Sequence, residues 1–157
     1  MTGEPTGIDA ASAQEMIDRA LADPRQGFNS FFLSRLLGLR VSYEGERCIV
    51  ELDASRLLFN PQGSLHGGVL ATAMDISMGH LLHHVAGAGA TLEMKIQFLA
   101  PIRAGTVRCE AAFLRRGRSI SFLQSQARGP NGVILAHATA TWRLLKSERA
   151  TAGSTRL

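Results

Sequence analysis

Apolar positions along the chain follow two periods, and the change from one to the other organises it. Between Ser12 and Pro24, Met16, Ile17, Ala20 and Leu21 recur at the spacing of one helix face. Ser12-x-x-Glu15 reads as a capping box at the start of that helix, and Pro24 stops it. Phe28, Phe31, Phe32 and Leu36 share a second, short helical face that exits at Gly38. These two pieces are expected to cap the core. From Leu39 the period is two: Leu39, Val41 and Tyr43 alternate with Arg40, Ser42 and Glu44, and Cys48, Val50 and Leu52 repeat the pattern after a Glu44-Gly45-Glu46 turn, which predicts a hairpin. A loop, Asn60-Pro61-Gln62-Gly63-Ser64, precedes one long helix from His66 to about His84. Its apolar residues, among them Leu70, Ala73, Met74, Met78, Leu81 and Leu82, cover more than one stripe, so this helix should be largely buried.

After Gly87 and Gly89 a strand alternates Leu92, Met94, Ile96 and Phe98 with Thr91, Glu93, Lys95 and Gln97, which puts Thr91 on the face opposite Leu92 and Met94. Three more strands follow, Thr106 to Leu114, Ser119 to Ala127 and Val133 to Leu145, separated by turns at Arg103-Ala104-Gly105, Arg116-Gly117 and Gly129-Pro130-Asn131-Gly132. Their short connections favour antiparallel pairing, because a parallel crossover needs a dozen or more residues. One buried helix with about six strands implies an antiparallel sheet curled around that helix, an α+β architecture. Residues 1–38 form a helical segment packed on a core domain of residues 39–145, and 146–157 form a flexible polar tail.

Composition narrows the class of partner. With 157 residues, 45% hydrophobic and 19% charged, the chain suits one ordinary globular domain and not a mainly disordered one. No run approaches the roughly 20 apolar residues of a membrane span, and the opening MTGEPTGIDA lacks the regions of a signal peptide. A cytoplasmic protein with no membrane partner is expected. The net charge of +4 would suit nucleic acid. However, the basic residues are nearly all Arg, dispersed from Arg19 to Arg156 without a block or an aromatic-studded basic strand, so no nucleic-acid partner is expected. Cys48 and Cys109 fall at apolar strand positions without CxxC spacing and read as reduced core residues.

Two places concentrate chemistry. The long helix opens with Gly63-Ser64-Leu65-His66-Gly67-Gly68, and a helix N-terminus presents unpaired N–H groups and a partial positive charge. Glycines there admit a ligand oxygen close to the backbone, as an oxyanion hole does; the alternative is that Gly67 and Gly68 only let the helix pack closely on the sheet. Asp75, between Met74 and Ile76, puts a carboxylate in the apolar middle of the same helix. It serves either as general base or nucleophile, or as a structural group bonded to Thr72 or to an Arg of a neighbouring strand. Asp75 lies about 13 Å along the axis from His66, at ~1.5 Å per residue, so one carbonyl cannot touch both. A shared reaction would then need the helix entrance of a second copy, and a two-fold dimer follows. His80, His83 and His84 form H-x-x-H-H without a completing Cys or carboxylate, and they suit the helix C-terminal dipole better than a metal. No metal or cofactor is expected. His137 alternates with alanines as a surface or interface residue, and no GxSxG, Walker loop or GxGxxG is present.

Taken together, Asn60-Pro61-x-Gly63-x-x-His66-Gly67-Gly68, then Asp75, then Thr91-Leu92-Glu93-Met94-Lys95-Ile96-Gln97-Phe98-Leu99-Ala100-Pro101 resembles the PaaI-like acyl-CoA thioesterases of the hotdog superfamily, over about Leu39 to Leu145. The resemblance implies a hotdog fold and a homodimer or homotetramer with shared sites. It also implies hydrolysis of a small or medium acyl or aryl-acyl CoA thioester to the free acid and CoA. It would place the Gly67 N–H on the thioester oxygen, with His66 and Asn60 shaping that side. Asp75 of the facing subunit would activate water or attack the carbonyl, and Thr91 would position the water or the carboxylate. Some relatives carry Ser or Thr four residues after the acid, where this chain has Gly79. Gly68, Met74, Met78 and Phe98 are candidates for lining the substrate pocket. Arg103, Arg115, Arg116 and Arg118 are candidates for the CoA phosphates or else solvated turn residues. The rivals are a non-catalytic acyl-CoA-binding module on the same fold, and a hotdog dehydratase, for which the spacing of Asp75 and His80 is poor.

Overall fold

The computed structural model describes residues 7–28 and 30–145; the expected polar tail, 146–157, lies outside the described residues. Helix α1, Ala10–Leu21, starts two residues before the expected box. Asp9 is its N-cap, and its carboxylate accepts from the N–H groups of Ala11 (3.2 Å) and Ser12 (3.3 Å). A carboxylate both accepts these bonds and opposes the positive helix end with a full charge, so it displaces the Ser12-Glu15 box. Only Ala20 of α1 is fully buried, and α1 packs chiefly on α2, Phe32–Leu36. Phe28 and Phe31 precede α2 and do not share its face; Phe31 is its extended N-cap.

The hairpin is present as β1, Arg40–Glu44, and β2, Arg47–Asp53, with Tyr43 opposite Cys48. After a 3-10 turn at Arg56–Leu58 come α3, Gly67–Ala86, and β3, Gly89–Phe98. Strands β4, Thr106–Arg115, β5, Ile120–Arg128, and β6, Ile134–Leu144, complete one antiparallel sheet in the order β1-β2-β4-β5-β6-β3. Consecutive strands therefore pair except on either side of β3, which pairs with neither β2 nor β4. The connection from β3 to β4 is short, yet β3 pairs with β6 at one edge and β4 pairs with β2. The connecting backbone is tied elsewhere: the N–H groups of Leu99 and Ala100 donate to the Leu135 carbonyl (2.8 and 3.2 Å), and the Ile102 carbonyl accepts from Leu65 (2.9 Å). It joins the β6 start to the loop before α3 and so carries the chain across the fold.

The sheet curls around α3, whose Leu70, Met74, Met78, Leu81 and Leu82 are buried against Val107, Leu123, Ala136, Ala138 and Trp142, among others. Each of the larger side chains contributes roughly 1.5–3 kcal/mol by leaving water. The helix buries two hydroxyls without loss, since Ser77 donates to the Met74 carbonyl (2.6 Å) and shares a 2.9 Å bond with Ser125. Cys48 and Cys109 are free and buried, and burial pushes both thiols up to about 12, which makes them inert core groups.

This placement separates two leucines by their energetic weight. Leu81 is fully buried and Leu114 is 54% exposed, so Leu81→Ala should lower the unfolding free energy by about 2–5 kcal/mol and Leu114→Ala by no more than ~0.5 kcal/mol, measured by urea denaturation. Equal losses would contradict the helix orientation.

Candidate active site

The loop before α3 is closed by one side chain. Asn60 Oδ1 accepts from the N–H groups of Gln62 (3.1 Å) and Ser64 (3.2 Å), while its Nδ2 donates to Ser64 Oγ (3.2 Å). Gly63, at φ +74, takes the left-handed turn this closure requires. His66 then arrives as the N-cap of α3, and its Nδ1 accepts from the Gly68 N–H at 2.9 Å, which leaves the ring proton of neutral His66 on Nε2. The Gly67 N–H has no partner among the described residues. Gly67 lies against the end of β3, where a Cβ on it would stand 3.2 Å from Phe98 Cζ, and a Cβ on Gly68 would stand 3.1 Å from His66 Nδ1. The two glycines thus make room for Phe98 and for the folded-back imidazole. Asn60, Ser64, Gly67 and Phe98 line a cavity of about 280 Å³.

A second cavity, of about 300 Å³, lies further along α3 and holds Asp75 with Thr91, Trp142, Gly79, Phe28 and Phe31. Eight residues separate Gly67 from Asp75, or about 12 Å of helix at ~1.5 Å per residue. The Thr91 hydroxyl donates to Asp75 Oδ1 at 3.0 Å. Strict alternation would have pointed it away. A β-bulge at Leu92 restores it, because Thr91 pairs with Trp142 while Glu93 pairs with Thr141, so Thr91 and Met94 both face the helix. Neither structural partner suggested for Asp75 is there: Thr72 donates instead to the Gly68 carbonyl (2.9 Å), and no Arg pairs with Asp75 among the described residues. Burial raises its carboxyl above the ordinary range, and the Thr91 bond lowers it by less. Gly79 also has a physical reason, since a Cβ there would stand 2.7 Å from Trp142 Cη2. The hydroxyl that reaches Asp75 comes from Thr91 on β3.

Other expected residues fall elsewhere. Met74 and Met78 are fully buried in the core and line neither of these two cavities, because their side of α3 faces the sheet. Arg103 follows the Ile102 tie beside the helix entrance, whereas Arg115, Arg116 and Arg118 lie at the far end of β4, roughly 30 Å away at ~3.3 Å per residue. All four are exposed, and Arg116 pairs with Glu46 at 3.7 Å. The histidines serve aromatic contacts: His80 Nδ1 is 3.0 Å from Tyr43 Oη, His83 stacks on Phe28 (3.7 Å between centroids) and His84 stacks on Tyr43 (4.3 Å). Among the described residues no cluster of three His, Cys, Asp or Glu could hold a metal ion. His137 stands 3.4 Å from Gln124 on the outer face of the sheet. The sequence reading missed Phe28, Phe31 and Trp142 as cavity walls. The single Trp in a row of alanines on β6 was the available signal for one of them.

Known proteins are similar to this chain in sequence and in fold. The sequence profile of the Thioesterase superfamily matches residues 62–136, from the Asn60 loop to the start of β6. A Saccharolobus solfataricus protein named as an esterase, SSO1253, is 30% identical over 102 residues, 59% of this chain and 68% of its own. Acyl-coenzyme A thioesterase 13 of Mus musculus is 33% identical over 85 residues, 52% of this chain and 61% of its own. The structure of the PaaI protein from the phenylacetic acid degradation operon of E. coli superposes with a TM-score of 0.72 at 17% identity, covering 85% of this chain and 96% of that one. With its six-stranded sheet curled on one helix, this chain belongs to the thioesterase superfamily, as a thioester hydrolase with the PaaI-type hotdog fold.

Proposed function

We propose that the protein hydrolyses an acyl-CoA thioester to the free acid and CoA, with Asp75 as general base. The observation that carries this reading is the half-buried Asp75 carboxylate, which has no cation partner among the described residues and is oriented by the Thr91 hydroxyl on one oxygen only. Burial makes it a stronger base than an ordinary carboxylate. Asp75 takes a proton from water as the water oxygen bonds to the thioester carbon. The negative charge that develops on the carbonyl oxygen is accepted by a Gly67 N–H at the positive end of α3. The C–S bond then breaks, and the leaving thiolate recovers the proton from Asp75 as CoA thiol. His66 takes part by holding the Gly68 N–H, and Asn60 by fixing the loop that sets the helix start. Because Gly67 and Asp75 of one chain are about 12 Å apart, at ~1.5 Å per helical residue, each reaction centre combines the helix entrance of one copy with Asp75 of another, in a homo-oligomer. The exposed guanidinium groups of Arg103 at one end of β4 and of Arg115, Arg116 and Arg118 at the other are roughly 30 Å apart at ~3.3 Å per residue, too far to share one CoA from one chain, and its phosphates are assigned to one of these two ends.

Three outcomes test this reading. Release of free thiol from a panel of short, medium, long and aryl-acetyl CoA thioesters should fall by ~10²–10⁴-fold in Asp75→Asn. A wild type that binds acyl-CoA by calorimetry yet releases no thiol would instead establish the binding-module reading. The same variant should gain stability. Burial raises the folded-state pKa of Asp75, so its contribution is favourable while the carboxyl is neutral and is lost as pH rises through that raised pKa. Asp75→Asn should therefore melt higher than wild type near pH 7, with the difference closing as pH falls below the carboxylate range. A variant that melts lower at neutral pH would contradict the absence of a charge partner. Finally, Gly67→Pro removes the N–H at a helix position that tolerates proline. Mixed with Asp75→Asn by co-expression, two inactive chains should recover part of the wild-type turnover, and no recovery would refute shared sites.

A further inference from the structure

The wall of the Asp75 cavity on its solvent side comes from a segment that the superfamily profile, at residues 62–136, does not include. Phe28 is 38% exposed, yet two rings of α3 hold it, stacked on His83 (3.7 Å, 15°) and tilted against His80 (4.7 Å). Phe31 is fixed through its own backbone, whose carbonyl accepts from Ser34 Oγ (2.8 Å) and whose N–H donates to the same oxygen (3.2 Å). Between them Gly27 and Ser30 exchange two backbone hydrogen bonds (3.0 and 3.1 Å). One guanidinium ties the whole segment: Arg35 donates from Nε to the Ala20 carbonyl (3.0 Å), and from Nη1 to the Arg25 carbonyl (3.1 Å) and Ser30 Oγ (3.0 Å). A loop fastened by this many bonds presents its two rings in fixed positions and at little cost in entropy on binding.

The opposite wall cannot yield. Trp142 is buried, and its ring lies so close to α3 that only glycine fits at position 79. About 300 Å³ is left between the two walls. That is the lower end of the ~300–1,000 Å³ of small-molecule sites. We propose that Phe28 and Phe31 determine acyl specificity, closing the Asp75 cavity to extended fatty chains and admitting a compact acyl group, and that Arg35 is the positioning residue that holds them there. The inference rests on the assignment of Asp75 as the base, since the acyl group must lie beside the carbonyl that Asp75 serves.

The test is a series of straight-chain saturated acyl-CoA thioesters of increasing length, assayed by thiol release with wild type, Phe28→Ala, Phe31→Ala and Arg35→Gln. Wild type should lose kcat/KM as the chain lengthens. In the two Phe variants kcat/KM for long relative to short chains should rise about tenfold or more, the scale on which an apolar pocket discriminates. Arg35→Gln should shift the profile the same way with kcat for the shortest substrate retained, which a merely structural role would not produce. Phe28→Leu and Phe31→Leu, which keep apolar contact at smaller width, should give intermediate profiles and guard against misfolding of the Ala variants. An unchanged length profile in folded, active variants overturns the specificity assignment alone. A wild type that releases no thiol from any member overturns the Asp75 reading and this inference with it.

Discussion

The depth at which α3 sits in the sheet governs the rest of the molecule. That depth is set where Gly79 meets Trp142, with Ala136, Ala138 and Ala140 continuing the small-residue row on the same strand. A helix held this close has no space for a side chain at position 79, and it places position 75 at the margin of the core. A helix lying farther out would leave Asp75 fully hydrated, with the basicity of any surface carboxylate. A deeper one would force it to ionise against the full cost of burial or not at all. The half-buried carboxylate, with one hydroxyl partner and no cation among the described residues, is the outcome of that packing distance.

Electrostatics then divides the labour along the helix. Its N-terminus offers an unpartnered N–H and positive potential at Gly67, and its middle offers a proton acceptor at Asp75. In the proposed mechanism both act on one carbonyl that they cannot both reach from a single helix, and that is why the proposal calls on a second copy of the chain. Each half is nevertheless rigid before any substrate arrives. Asn60 closes its loop with three hydrogen bonds and Thr91 orients the acid across the cavity, which is the preorganisation that a reaction needs if binding is not to be spent on assembling the site.

Much of this was legible in the residues themselves. The hairpin, the long apolar helix and the last three strands follow from hydrophobic period, and the Asn-Gly-His-Gly-Gly-Asp spacing singled out the helix on which the proposed function rests. What was not legible depends on tertiary geometry. The connection after β3 looks like a hairpin turn in sequence but is captured by Leu135 and Leu65. Asp9 outcompetes Ser12 because a charge is worth more at a helix end. Met74 and Met78, candidates for lining the substrate pocket, are packed against the sheet and line neither cavity of this chain. Phe28 and Phe31 reach the cavity from a loop that Arg35 ties by three hydrogen bonds, and no local pattern encodes a contact of that kind.

The bulge at Leu92 has a bearing on how β3 keeps its place. β3 is an edge strand, bonded to β6 on one side only, and edge strands are where sliding and mispairing begin. A strand with unbroken alternation can slip by two residues and still present the same faces. A strand with one extra residue at a fixed point cannot, since any slip moves the irregularity away from the Thr91 and Trp142 pair and turns a polar side chain into the core. The feature that aims a hydroxyl at the acid is thus also a latch, and misalignment of this edge would disable the site and the sheet in a single error.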